Sequence, residues 1–215
     1  MTTTDSADVR ARQRDAERTK RELLEVATTV FAEEGLAGAR VDDIAARTST
    51  TKRMIYYYFG GKEQLYAAVL QNAYRGIREA ERTIDVADLG PADALRALAE
   101  ATYDHHVQHS DFIRLVMIEN IHRAEVLKKL DTLEELGQPA VDVLEDIMAR
   151  GRAEGIFRDD LTPFDLHMLI SSYCVFQVAN QHTFGHLFQR ELLEEPTASR
   201  ARTMLGDLVV RWIMV

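Results

Sequence analysis

The sequence predicts an all-α protein: an N-terminal three-helix helix-turn-helix domain followed by a larger helical body. Three observations carry that expectation. Apolar residues recur at three- and four-residue spacing almost throughout, whereas the alternation of a half-buried strand is scarce. Glycines and prolines are few, 11 and 4 in 215 residues, and several fall between the periodic stretches. Near residue 48 a Thr/Ser-rich turn separates two short amphipathic segments, the pattern of two helices crossing through a tight turn. The expected organisation is a flexible basic arm over 1–15, a helix-turn-helix domain over 16–62, and a helical body over 63–215.

Taken in order, a first helix is expected over 15–34, with Leu23, Leu24, Ala27, Val30 and Phe31 in one stripe. Gly35 should end it, because it takes positive φ without steric cost. Short helices follow over 41–47 and 52–58, and Gly60-Gly61 separates the second from a long helix beginning near Lys62. Pro91 suits the first turn of a helix over 92–109, and Ser110-Asp111 should cap another over 112–120. Long helices are expected over 132–152, 163–183 and 198–213, bounded by Gly155, Pro163 and Pro196.

Composition narrows the class. The chain is 46% hydrophobic, ordinary for a folded domain, and its single cysteine, Cys174, excludes an intrachain disulfide and suits a reducing cytoplasm. The N-terminus lacks the apolar stretch of a secretory signal, and the most apolar region, 166–179, is too short to span a bilayer, so no membrane partner is expected. The net charge of −9 is unevenly spread. Residues 1–62 hold 11 basic and 10 acidic side chains, and the remainder holds 15 and 25. Six cations (Arg10, Arg12, Arg14, Arg18, Lys20 and Arg21) crowd the segment 10–21, so the leading part suits contact with an anionic polymer.

The informative stretch is 40–65. Val41, Ile44 and Ala45 should face inward on its first helix, and Ile55 and Phe59 on its second. The start of the second helix then presents Thr50, Thr51, Lys52 and Arg53, a hydroxyl cap plus cations. Adjacent aromatics cannot all face one side of a helix, so Tyr58 and Phe59 are assigned inward and Tyr56 and Tyr57 outward. The run from Thr51 to Leu65 (TKRMIYYYFGGKEQL), preceded by Val41-Asp-Asp-Ile-Ala45, resembles the DNA-binding domain of the TetR family of repressors over about residues 16–70. It departs from the family's Ala-Gly-hydrophobic turn, having Thr48-Ser49-Thr50 instead. The resemblance implies phosphate contacts from Arg40, Tyr57 and Lys62, and groove contacts from Thr51, Lys52, Arg53 and Tyr56.

The same resemblance implies a homodimer on a palindromic double-stranded operator, released by a small-molecule effector. It assigns the dimer contact to the last two long helices, where Leu166, Leu169, Ile170, Tyr173, Leu205, Leu208, Val209 and Trp212 are the candidates. Effector-lining candidates lie where polar groups interrupt apolar helices: His105, His109, Met117, Glu119, Asn120, His122, Tyr173, Phe176 and Gln177. The pairs His105/His109 and His182/His186 have i, i+4 spacing, but no cysteine or carboxylate cluster completes a zinc set, and neither metal nor cofactor is expected. With no phosphate loop, nucleophile elbow or H-E-x-x-H run, no catalytic residues and no enzyme are expected.

Overall fold

The computed structural model describes residues 3–82, 84, 86, 88–130 and 133–215, and side chains for 13–81, 84, 86, 88–130 and 137–215. Ten α-helices are present among them: α1 (Thr3–Gly38), α2 (Val41–Ala46), α3 (Lys52–Phe59), α4 (Lys62–Arg82), α5 (Pro91–Gln108), α6 (Ser110–Ile121), α7 (Leu133–Ala153), α8 (Pro163–Ala179), α9 (Gln181–Phe188) and α10 (Thr197–Ile213). A 3₁₀ turn, Leu127–Lys129, follows α6. The described residues contain no strand, only an isolated bridge between Phe157 and Met214.

Most helix boundaries follow the punctuation of the sequence. Gly35 takes φ 67° and breaks α1 internally, and Pro91 occupies the first turn of α5. Thr162 caps α8 reciprocally, its hydroxyl accepting from the Asp165 N–H while the Asp165 carboxylate accepts from the Thr162 N–H. Two expectations are corrected. The first helix begins at Thr3, not after an arm ending at residue 15. No glycine or proline interrupts 3–34, and the i, i+3 pairs Asp15–Arg18 and Glu17–Lys20 add side-chain support. The side chains of Arg10 and Arg12, assigned to that arm, lie outside the described residues. The helix expected over 163–183 is two, because Asn180 ends α8 and α9 restarts at Gln181.

Two compact units are formed, one by Met1–Asn72 with Arg114–Lys129, the other by Ala73–Ile113 with Leu130–Val215. The first buries Leu23, Ala27, Val30 and Phe31 of α1, Val41 and Ile44 of α2, Ile55 of α3, and Leu65, Tyr66 and Val69 of α4. Phe31 and Tyr66 meet edge to face at 5.0 Å. The core of the second unit joins Leu95, Leu98 and Tyr103 of α5, Leu144, Ile147 and Met148 of α7, and a ladder from α8 and α10. Arg202 of α10 ties to Asp104 of α5 at 2.9 Å, and Arg96 of α5 to Asp207 of α10 at 2.7 Å.

That ladder corrects the dimer assignment. Leu166, Ile170, Leu205 and Val209 are at most 3% exposed within one protomer, so they are intramolecular core. The apolar side chains left outward on the two helices are Phe164, Met168, Phe176, Met204 and Leu208. Leu169, Tyr173 and Trp212 are half-buried against the core. Cys174 is buried in the same ladder, and burial, with the Asp104 charge adding to it, pushes its thiol up to about 12.

Candidate nucleic-acid interface

The helix-turn-helix is set by three buried anchors. Val41 and Ile44, one turn apart on α2, point inward, and Ile55 is the buried residue of α3. With Ile55 inward, helical geometry turns Arg53 and Tyr57 to the opposite side and Tyr56 to the flank, while Lys52 stands at the open N-terminal end of the helix; all four are exposed, Tyr57 by 77%. Tyr58 and Phe59 are half-buried, and Tyr58 stands edge to face with both Tyr57 and Phe59. Gly60, at φ 88°, closes α3 by donating its N–H to the Tyr56 carbonyl at 2.9 Å.

The turn between α2 and α3 is held by a residue that sequence reasoning passed over. Both the Ser49 N–H and the Ser49 hydroxyl donate to the carboxylate of Glu22 on α1, each at 2.8 Å. These bonds hold the Glu22 carboxyl below its ordinary range. Thr48 donates back to the Ala45 carbonyl at 3.1 Å. Polar turn residues thus replace the glycine-containing turn of the resemblance by recruiting an outside carboxylate.

Thr51 occupies the N-cap position with extended backbone, but its hydroxyl makes no capping bond, which corrects the expected hydroxyl cap. The Thr51 carbonyl accepts the first intrahelical bonds, from the N–H groups of Met54 and Ile55. Thr50 is half-buried. Lys52 pairs with Asp42 of α2 at 3.0 Å, which places its ammonium between the two helices. Lys62, at the start of α4, donates to the Ala39 carbonyl at 3.1 Å, and Arg40 beside it is exposed. The edge therefore combines cations, phenols and a hydroxyl on a rigid support, the donors that fit phosphate oxygens and base edges.

The nine effector-lining candidates are not gathered at one place. Glu119 and His122 border a cavity of about 310 Å³ in the first unit, with Lys62, Tyr66 and Ile118. Glu119 is 4% exposed and accepts from the Leu127 N–H at 3.0 Å, so it braces the 3₁₀ turn. Tyr173 and Gln177 border a cavity of about 570 Å³ in the second unit, with Arg190, Leu192 and Met204. His105 and His109 stack at 4.2 Å on α5. Met117, Asn120 and Phe176 are exposed. Among the described residues no three His, Cys, Asp or Glu side chains converge as metal ligands, and no helix is long and apolar enough to cross a membrane.

Residues 23–69 match the family described as bacterial regulatory proteins, tetR family, and residues 91–209 match a tetracyclin repressor-like C-terminal domain. The chain is 36% identical to the HTH-type transcriptional repressor NicS of Pseudomonas putida, over 94% of this chain and 95% of that protein. It is 30% identical to the HTH-type transcriptional repressor SCO4008 of Streptomyces coelicolor, over 73% of this chain and 77% of that one. The fold is shared with PfmR of Thermus thermophilus (TM-score 0.63, 21% identity, 88% and 97% of the two chains) and with a Rhodococcus RHA1 protein (TM-score 0.71, 17% identity, 91% and 96%).

Proposed function

The chain belongs to the TetR family and is a DNA-binding transcriptional repressor, not an enzyme, and from that premise we propose that α3 reads a palindromic operator as part of a homodimer. The observation that carries the assignment is the exposed edge Lys52, Arg53, Tyr56 and Tyr57, backed by buried Ile55. In this reading Thr50, Thr51, Lys52, Arg53 and Tyr56 meet the major groove, while Arg40, Tyr57 and Lys62 grip the backbone. Two such helices, roughly 34–36 Å apart, match one turn of duplex and require two-fold related half-sites. The outward side chains Phe164, Met168, Phe176, Met204 and Leu208 supply an apolar surface for the partner copy. A small molecule bound in the cytoplasm releases the operator by its higher affinity for the conformation that cannot span both half-sites.

The test is retardation of the DNA upstream of the protein's own gene. The unmodified chain is expected to shift this DNA at low salt, with an affinity that falls steeply as salt rises. Lys52→Ala and Tyr56→Ala should each weaken binding by about 1–3 kcal/mol, depending on whether the lost contact is to a base or to phosphate. No retarded band at low salt overturns the assignment.

A further inference from the structure

The cavity of about 310 Å³ in the first unit is bordered by a buried carboxylate that lacks a cationic partner. It lies between the end of α1, the start of α4 and the segment that runs from α6 into the 3₁₀ turn, with Leu36, Ile118 and Val126 as apolar walls. Glu119 borders it and is 4% exposed. One of its oxygens, Oε2, accepts from the Leu127 N–H at 3.0 Å. No Lys, Arg or His side chain pairs with it among the described residues. A carboxylate taken out of water with one neutral donor is poorly compensated, a cost that a bound cation would remove.

The rest of the lining selects the kind of molecule that fits. Two more carboxylates, Glu63 of α4 and Glu125 after α6, stand exposed at the border, so acidic groups outnumber the one ammonium, that of Lys62, by three to one; His122 adds an imidazole. Lys62 does not neutralise Glu119, because its Nζ donates to the Ala39 carbonyl at 3.1 Å. Exposed carboxylates draw a cation to the mouth, and apolar walls then hold a hydrocarbon body. An anion would meet three like charges. Small-molecule sites run from about 300 to 1,000 Å³, so this one suits a single ring or a short chain.

We propose that this cavity binds a small primary amine in its ammonium form, the cation paired with Glu119 and the hydrocarbon body against Leu36, Ile118 and Val126. Oε1 of Glu119 takes the ammonium while Oε2 keeps the Leu127 N–H, so the 3₁₀ turn stays in place. The bound cation also lies beside Lys62, which ties the start of α4 to Ala39, one residue before the Arg40 N-cap of α2. Two cations at one cavity repel, so the amine loosens the tie between α4 and the helix-turn-helix and disturbs the phosphate contact proposed for Lys62. Operator and amine then lower each other's affinity by the same factor. Amine binding stands on the cavity alone; its effect on DNA rests on the operator assignment.

The experiment is a calorimetric titration of the full-length protein with benzylamine and with benzyl alcohol, its uncharged counterpart. Benzylamine is expected to bind saturably and at least about tenfold more tightly than the alcohol. Glu119→Gln keeps an oxygen for the Leu127 N–H but removes the charge, and should weaken benzylamine about tenfold while leaving the alcohol unchanged. Circular dichroism checks the fold of that variant, and Glu125→Gln, at the surface, should give a smaller loss in the same direction. At constant ionic strength, saturating benzylamine should weaken operator retardation by the native chain about fivefold or more, and by Glu119→Gln not at all. Absence of saturable benzylamine binding, equal affinity for the alcohol, or unchanged affinity in folded Glu119→Gln overturns the site; bound amine with unaltered operator affinity overturns its link to Lys62. Unliganded protein that retards operator DNA but binds no benzylamine refutes this inference alone, whereas protein that binds benzylamine without retarding DNA refutes the operator assignment beneath it.

Discussion

Glu22 and Ser49 stand 27 positions apart in the chain, yet the placement of the reading helix depends on their contact. Two donors of one residue converge on one carboxylate, so the turn before α3 has a fixed distance from α1. Glu22→Ala frees that turn while leaving the buried anchors Ile44 and Ile55 in place. The variant is expected to lose operator affinity with little change in thermal midpoint, read by retardation and by calorimetric melting; an unchanged affinity would show that the turn holds itself. At this scale the outward phenols were legible, because neighbouring aromatics on a helix must diverge. The Glu22 contact was not, since no local pattern announces a partner 27 residues away. The Arg78–Glu81 pair of α4, 2.6 Å apart, was missed for a different reason: an i, i+3 pair of opposite charge usually marks a solvated face, and here it is turned inward.

Between elements, the tightest fit lies where α7 ends. A methyl group on Gly151 would come within 2.0 Å of the Phe157 ring, which is itself 3% exposed. Gly151→Ala must push that ring out of the core, and overpacking of this kind costs about 1–3 kcal/mol. Denaturant unfolding should show the loss, and an unaltered midpoint would mean that the ring has room to swing. Helix starts were legible where proline marks them, as at Pro91 and Pro163, and Gly35 marks the break inside α1 although the helix resumes to Gly38. The break at Asn180 lacks such a mark, so the sequence pattern ran through it. The outward face of α8 was illegible too. Leu166, Ile170, Cys174 and Val178 form its inner i, i+4 ladder, but Phe164, Met168 and Phe176 make the other side equally apolar. With apolar residues all round, spacing cannot say which flank meets the core.

For the whole molecule, the buried histidines tie stability to pH. Burial disfavours the charged form of His105 and His106, which titrate near 4 in the folded state and near 6.5 unfolded, so between these values the unfolded chain holds the extra protons. Their contribution is complete above 6.5 and is lost as pH falls toward 4. Glu81, raised by burial from 4.5 to about 7, acts in the opposite sense, since its folded form keeps a proton that the unfolded chain has released. Two histidines outweigh one carboxyl, so stability should rise from about pH 4.5 to 6.5, at about 1.4 kcal/mol per pH unit for each net proton. It should then decline slightly toward pH 7 as Glu81 acts alone. Urea titrations across this range will give the slope, and Glu81→Gln should steepen the acid limb; a flat profile would contradict the neutral, buried assignment. The all-helical class was legible, because the 40–65 pattern is specific and the remaining periodicity is uniformly helical, whereas nothing local shows that Arg114–Lys129 belongs to the first compact unit.

The shielded thiol at Cys174 has a practical corollary. As the sole native cysteine, buried and protonated at neutral pH, it should ignore maleimide reagents in the folded protein. A reporter thiol at the exposed Tyr57 position would therefore carry a spin label or fluorophore alone, with no background to subtract. The separation of two such labels in an assembled pair becomes a direct ruler for the reading heads.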